Sequence, residues 1–187
     1  MPAYDVKATY SIHVAAGPAR VWQEAMNVDF SQMPLARRLI ALRTLGRRKQ
    51  HAAGKPLTLA TMADTDAGGF KEIGRIPQQE IVLAIIGKFW RPDAPILRDW
   101  NPEEFATLAP AGYGKAAWNF RLLPDGDQTI VSTETRVLCH GRLESILFRC
   151  YWTLISFFSG LIRKEMLQMI KRNSEQTTRA TIDESDY

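Results

Sequence analysis

Cysteine and histidine are scarce in this chain. It has two cysteines, Cys139 and Cys150, and three histidines, His13, His51 and His140. Two cysteines among apolar neighbours build no disulfide framework and read as small core hydrophobes. The spacings HxH, CxxC and HExxH do not occur, which removes the common metal-ligand patterns. There is no GxSxG turn for an acyl-transfer nucleophile and no glycine-rich phosphate cradle. Long apolar runs are missing too. The least polar window, Cys150 to Ile162, carries no charge but falls short of the ~20 residues that a membrane span needs. The opening MPAYDVKATY has no apolar core, so no secretory signal is expected and a reducing, cytoplasmic compartment is the default.

What is present suits one soluble globular domain. The 187 residues are 45% hydrophobic and 24% charged, with room for a sizeable core. The net charge of +4 is modest but uneven. No acidic residue falls between Asp29 and Asp64, whereas Arg37, Arg38, Arg43, Arg47, Arg48 and Lys49 do. Such a block could meet nucleic-acid phosphates or an anionic membrane surface, or be a solvated helix face. No aromatics interleave with these arginines, which counts against single-strand nucleic-acid binding.

The order of elements follows from periodicity. Tyr4, Val6, Ala8, Tyr10, Ile12 and Val14 alternate with polar residues, predicting a half-buried strand with His13 outward. Gly17-Pro18 ends it and opens a helix with Val21, Trp22, Ala25 and Met26 on one face. A second helix is expected over Leu35 to Leu45 and a short one from Thr58 to Ala63. Phe70 to Ile76 and Glu80 to Trp90 read as strands, the latter apolar on both parities. That predicts either cover on both faces or a subunit contact, hence a possible homodimer. After a proline-rich loop, Phe105 to Leu108 suggests a short strand.

Gly114 to Leu123 and Gln128 to Cys139 flank Pro124-Asp125-Gly126-Asp127, a hairpin signal. With Asp125 and Gly126 as a type I′ turn, Trp118 faces Thr133, Phe120 faces Val131 and Ala116 faces Thr135. Lys115 then lies diagonal to Glu134 as a surface charge pair. Finally, Leu143, Ile146, Leu147, Cys150, Leu154, Phe157, Phe158 and Leu161 recur at helical spacing, and Ile162, Met166, Met169 and Ile170 continue the pattern. A helix from Gly141 to Asn173 is expected, with a bend or a short break near Ser156, Ser159 and Gly160 and with Arg163, Lys164, Lys171 and Arg172 on its polar side. Residues 1–173 form the domain and 174–187 a polar, frayed tail.

Strand, two helices, antiparallel strands and a long last helix resemble the START/Bet v 1-like superfamily, also called polyketide cyclase/dehydrase-like. The resemblance lies in SIHVAAGPARVWQEAMNVDF, IIGKFWRP, AAWNFRLLPDGDQTIVSTETRV and YWTLISFFSGLIRKEMLQMIKR. It implies an α+β helix-grip fold, with a curved antiparallel sheet wrapped around the C-terminal helix and an apolar cavity between them. Parity places Trp118, Phe120, Thr133 and Thr135 toward that space with Tyr10 and Ile12, and the helix adds Tyr151, Leu154 and Phe158. The expected function is to bind a small hydrophobic or amphipathic molecule, lipid-like or polyketide-like, with no cofactor and no metal. The alternatives are a cyclase or hydrolase of this fold, with His140, Glu134, Arg136 or Arg91 as acid/base group, and a peripheral module using Arg37 to Lys49. The Rieske ligand set of oxygenases in the superfamily is absent.

Overall fold

The computed structural model describes residues 1–35, 38, 56–64 and 69–185. Strand β1 (Val6–Val14) is followed by helix α1 (Pro18–Asn27), a single 3-10 turn (Phe30–Gln32) and helix α2 (Leu59–Asp64). Then come β2 (Lys71–Ile76), β3 (Glu80–Gly87), the two-residue β4 (Ile96–Leu97), a 3-10 turn (Pro102–Glu104), β5 (Gly114–Asp125), β6 (Gln128–Cys139) and helix α3 (Arg142–Ser185). The strands form one sheet in the order β1-β6-β5-β3-β2, with β4 beside β3, and every pairing is antiparallel. This curved six-stranded sheet and the long C-terminal helix make an α+β, helix-grip arrangement.

Alternation decides which side of the sheet is covered. On β6, Thr129, Val131, Thr133, Thr135, Val137 and Cys139 are buried, while the residues between them are not. Pairing sets Tyr10, Thr133 and Phe120 in one row on the concave face, and Ala8, Thr135 and Trp118 in the next. Against these rows pack Val21 and Ala25 of α1, Leu59 and Met62 of α2, and Met166, Leu167 and Ile170 of α3. Pro18 occupies the first turn of α1, where its missing N–H costs nothing.

The two apolar parities of β3 have separate covers. Ile81 and Leu83 belong to the concave-side core. Ala84 and Ile86 meet Trp100, Phe105, Leu108 and Tyr113, so the segment following β4 covers the second face. Phe105 to Leu108 is not a strand: Phe105, Ala106 and Thr107 are turn and Leu108 is irregular. There Phe105 packs on Trp100 with ring centroids 5.5 Å apart, and three of the segment's carbonyls accept from Lys115. Lys115 is therefore 3% exposed and not a partner of Glu134, which instead meets Lys7 at 2.9 Å and Arg136.

The β5–β6 hairpin is offset by two residues from the expected register. Trp118 pairs with Thr135, Phe120 with Thr133, Ala116 with Val137 and Asp125 with Gln128. The turn residues are Gly126 and Asp127, with positive φ at Gly126 only, the type II′ preference for glycine at the first central position. A shift of two keeps every side chain on its expected face, because the strand period is two.

Helix α3 is unbroken from Arg142 to Ser185, so no break falls at Gly160 and the helix does not end at Asn173. Gly160 serves contact instead: a Cβ there would lie 2.5 Å from the Tyr10 hydroxyl oxygen. Neither proline nor glycine occurs after Leu161, so nothing in the backbone chemistry stops the helix. Its first half anchors through Phe148, which is 2% exposed and meets Val137, Cys139, Phe89, Trp90, Tyr151 and Trp152. The outward side of that half carries Leu143, Ile146, Leu147, Leu154, Phe157 and Phe158, all exposed.

Candidate ligand site

Trp118 of β5 stands at the centre of the concave face. Its ring lies 5.9 Å from Phe30, 6.0 Å from Phe70 and 6.0 Å from Phe120, centroid to centroid, in tilted or edge-on geometry. Its indole Nε1–H donates to Thr133 Oγ1 at 2.6 Å. Unlike Phe120, which is 1% exposed, Trp118 keeps part of its surface open.

Arg163 of α3 reaches the same place. Its guanidinium carbon lies 5.3 Å from the Trp118 ring centroid, and Nη1 donates to Thr133 Oγ1 at 3.2 Å. The Thr133 hydroxyl also donates to the Asn119 carbonyl at 2.9 Å. With two donors received and one given, Thr133 is saturated and has no capacity left to orient a ligand oxygen. Thr135 differs: its Oγ1 is buried without a hydrogen-bond partner, and so is Arg163 Nε. Burial pushes the Arg163 pKa down to about 10, with Tyr10 acting in the opposite sense, so the group remains a cation at neutral pH.

The sequence placed Arg163 on the polar side of the helix, and the structure turns it inward. Gly160, Arg163, Met166, Leu167 and Ile170 fall at i, i+3, i+6, i+7 and i+10, so the helical phase of the buried residues could have shown it. Of the predicted lining residues, Tyr10, Ile12, Trp118, Phe120, Thr133 and Thr135 share the concave face. Tyr151 lies elsewhere, with its ring 6.0 Å from Phe148 in the cluster under the start of α3. Leu154 and Phe158 are corrections: at 72% and 40% exposure they point away from the sheet. The stripe chosen from the sequence is the outward one in this half of the helix, because Phe148, Tyr151 and Trp152 dock its other side. Cys150 is likewise exposed, whereas Cys139 is buried and its thiol is pushed up to about 12, first by burial and then by Asp5.

The remaining candidates are scattered. Arg91 forms an exposed pair with Asp93 at 2.8 Å. His140 is held below its usual range by burial and then by Lys115, and its Nε2 is buried without a partner. Burial acts to raise the Glu134 pKa, but hydrogen bonds from Lys7, Thr9 and Arg136 outweigh it and lower the net value. Of the basic block, Arg38 is exposed; Arg37, Arg43, Arg47, Arg48, Lys49 and the rest of the expected Leu35–Leu45 helix beyond Arg38 lie outside the described residues, as does His51.

A cavity of about 230 Å³ lies on the convex face, lined by Met1, Glu80, Val82, Ala117, Asn119, Glu134 and Arg136. Its polar groups engage one another: Asn119 Nδ2 donates to Glu80 at 2.7 Å, and the Glu134 amide donates to Asn119 Oδ1 at 2.8 Å. Arg136 bridges Glu134 and the Met1 carbonyl. Among the described residues no group of three or more His, Cys, Asp or Glu side chains is placed to hold a metal ion.

No family model and no curated protein matches the chain. Among solved structures, the Mll3558 protein of Rhizobium loti is similar at 13% identity and a TM-score of 0.37, over 88% of this chain and 97% of its own. The CV1439 protein of Chromobacterium violaceum is similar at 14% identity and a TM-score of 0.37, over 88% and 96%. The TTHA0849 protein of Thermus thermophilus is similar at 12% identity and a TM-score of 0.33, over 90% and 97%.

Proposed function

We propose that this chain is a START/Bet v 1-like protein that binds a small hydrophobic or amphipathic molecule on the concave face, between the sheet and α3. The observation that supports this best is the partly open Trp118 ring, with Phe30, Phe70 and Phe120 around it, the Arg163 guanidinium over it and Thr135 as its cross-strand neighbour. Apolar walls with a few converging polar groups are the usual composition of a small-molecule site. Native mass spectrometry of the freshly purified protein tests it. A non-covalent adduct of small-molecule mass at defined stoichiometry is expected.

A second reading, contact with a membrane surface, has its own observation. Leu143, Leu154 and Phe157 are 63%, 72% and 69% exposed along one side of α3. Arg142 and Lys164 are exposed on the same stretch of helix, which would complement anionic headgroups. By length and composition this helix is also apolar enough to cross a membrane. Flotation with phosphatidylserine-containing vesicles, lost in Leu154→Glu/Phe157→Glu, is expected; no flotation of the unaltered protein overturns this reading.

A further inference from the structure

We propose that the ligand of the concave face carries a carboxylate and that Arg163 binds it. The inference rests on the preceding reading that a small molecule occupies this face. Its basis is a charge that the fold leaves uncompensated. Among the described residues Arg163 forms no ion pair, and the one hydrogen bond its guanidinium makes is to a neutral hydroxyl, Thr133 Oγ1. Other cations drawn against the sheet and its helix are answered. Lys115 has three backbone carbonyls at 2.9–3.0 Å, Arg136 has Glu134, and Arg149 has Asp5 at 3.0 Å. A desolvated cation without a counter-charge is costly, and an anion supplied by a ligand removes that cost.

The geometry selects a planar oxyanion. Arginine offers five N–H donors in a rigid fork. With Nη1 turned to Thr133 and one face of the guanidinium on Trp118, the edge formed by Nε and Nη2 is the pair of parallel donors left over. Nε has no partner, and that edge matches the two oxygens of a carboxylate. Thr135, cross-strand neighbour of Trp118, holds a second buried hydroxyl without a partner and supplies a further donor on the same face. Arg163, Trp118 and Tyr10 each retain partial exposure, which leaves the polar end of the site open to an entering ligand. The apolar body of the acid would lie along Phe30, Phe70 and Trp118, and the ring stacked on the guanidinium would hold the fork in place.

The test uses the full chain with dodecanoic acid and cinnamic acid, each beside its methyl ester, titrated calorimetrically into the unaltered protein, Arg163→Gln and Arg163→Lys. Acid binding tighter than ester binding by about ten- to a hundredfold is expected in the unaltered protein, as for hydrogen bonds to a charged group. The preference should vanish in Arg163→Gln, with ester affinity retained, and shrink in Arg163→Lys, where the charge stays and the fork is lost. If Arg163→Gln fails to fold, the acid-to-ester ratios of the unaltered protein and Arg163→Lys carry the comparison. Equal affinity for acid and ester overturns the carboxylate assignment while leaving the ligand site standing. A preference for acids that persists undiminished without Arg163 overturns its role. Failure of all four compounds to bind, together with an adduct-free native mass, removes the ligand site and the inference with it.

Discussion

Lys115 and Arg163 are two cations that the fold draws inward, and their surroundings assign them different work. Three carbonyls, from Phe105, Ala106 and Leu108, take all three donors of the Lys115 ammonium, so this residue ties the segment after β4 to the sheet. Burial lowers its pKa, as expected for a charge leaving water. Replacing Lys115 by Met keeps the stem and removes the donors, leaving three carbonyls short of a partner. Chemical denaturation should then show a loss of about 2–4 kcal/mol. Lys7→Met, which breaks a pair that is 38% exposed on the lysine side, should cost under ~1 kcal/mol. Equal losses in the two variants would contradict the structural role given to Lys115. Parity alone put Lys115 on the convex face, correctly. That a loop would come back to cover it is a long-range fact that alternation does not contain.

At the scale of elements, the same helix is two different objects along its length. From Met166 to Ile170 α3 is embedded in the main core beside α1 and the first strand. From Arg142 to Phe158 its one buried side chain is Phe148, docked with the half-buried Tyr151 and Trp152, and the other side shows solvent a row of leucines and phenylalanines. Phe148→Ala should therefore cost about 3–5 kcal/mol, whereas Leu154→Ala should change stability by no more than ~0.5 kcal/mol. Thermal or urea unfolding of the pair reads this directly, and a large loss at Leu154 would contradict the helix orientation. Hydrophobic periodicity made the helix plain but not its run beyond Asn173, nor which apolar stripe is inward, because both sides of residues 143–161 are apolar. The strands were more legible. The Asp-Gly signal located the hairpin, and its two-residue slip changed partners without changing faces, so Trp118, Phe120, Thr133 and Thr135 lie on the expected side of the sheet despite the wrong register. Arg163 was missed because an arginine at the edge of an apolar stripe reads as solvated. Only the phase of its neighbours Gly160, Met166 and Ile170 marks it as inward.

For the molecule as a whole, the curved sheet gathers aromatic and polar groups on its concave side and closes them with helices, while on the convex side Glu80, Asn119, Glu134 and Arg136 bond to one another. The ligand proposed above belongs on the concave face. Unpaired hydrogen-bonding capacity remains there at Thr135 and Arg163, beside a ring that is still partly open. The most direct measurement is native mass spectrometry of freshly purified protein, followed by solvent extraction and analysis of what is released. The predicted result is one amphipathic molecule per chain, recovered as an acid and absent after mild denaturation. A mass equal to the bare chain, together with no change in mass on incubation with fatty and aromatic acids, would contradict the account.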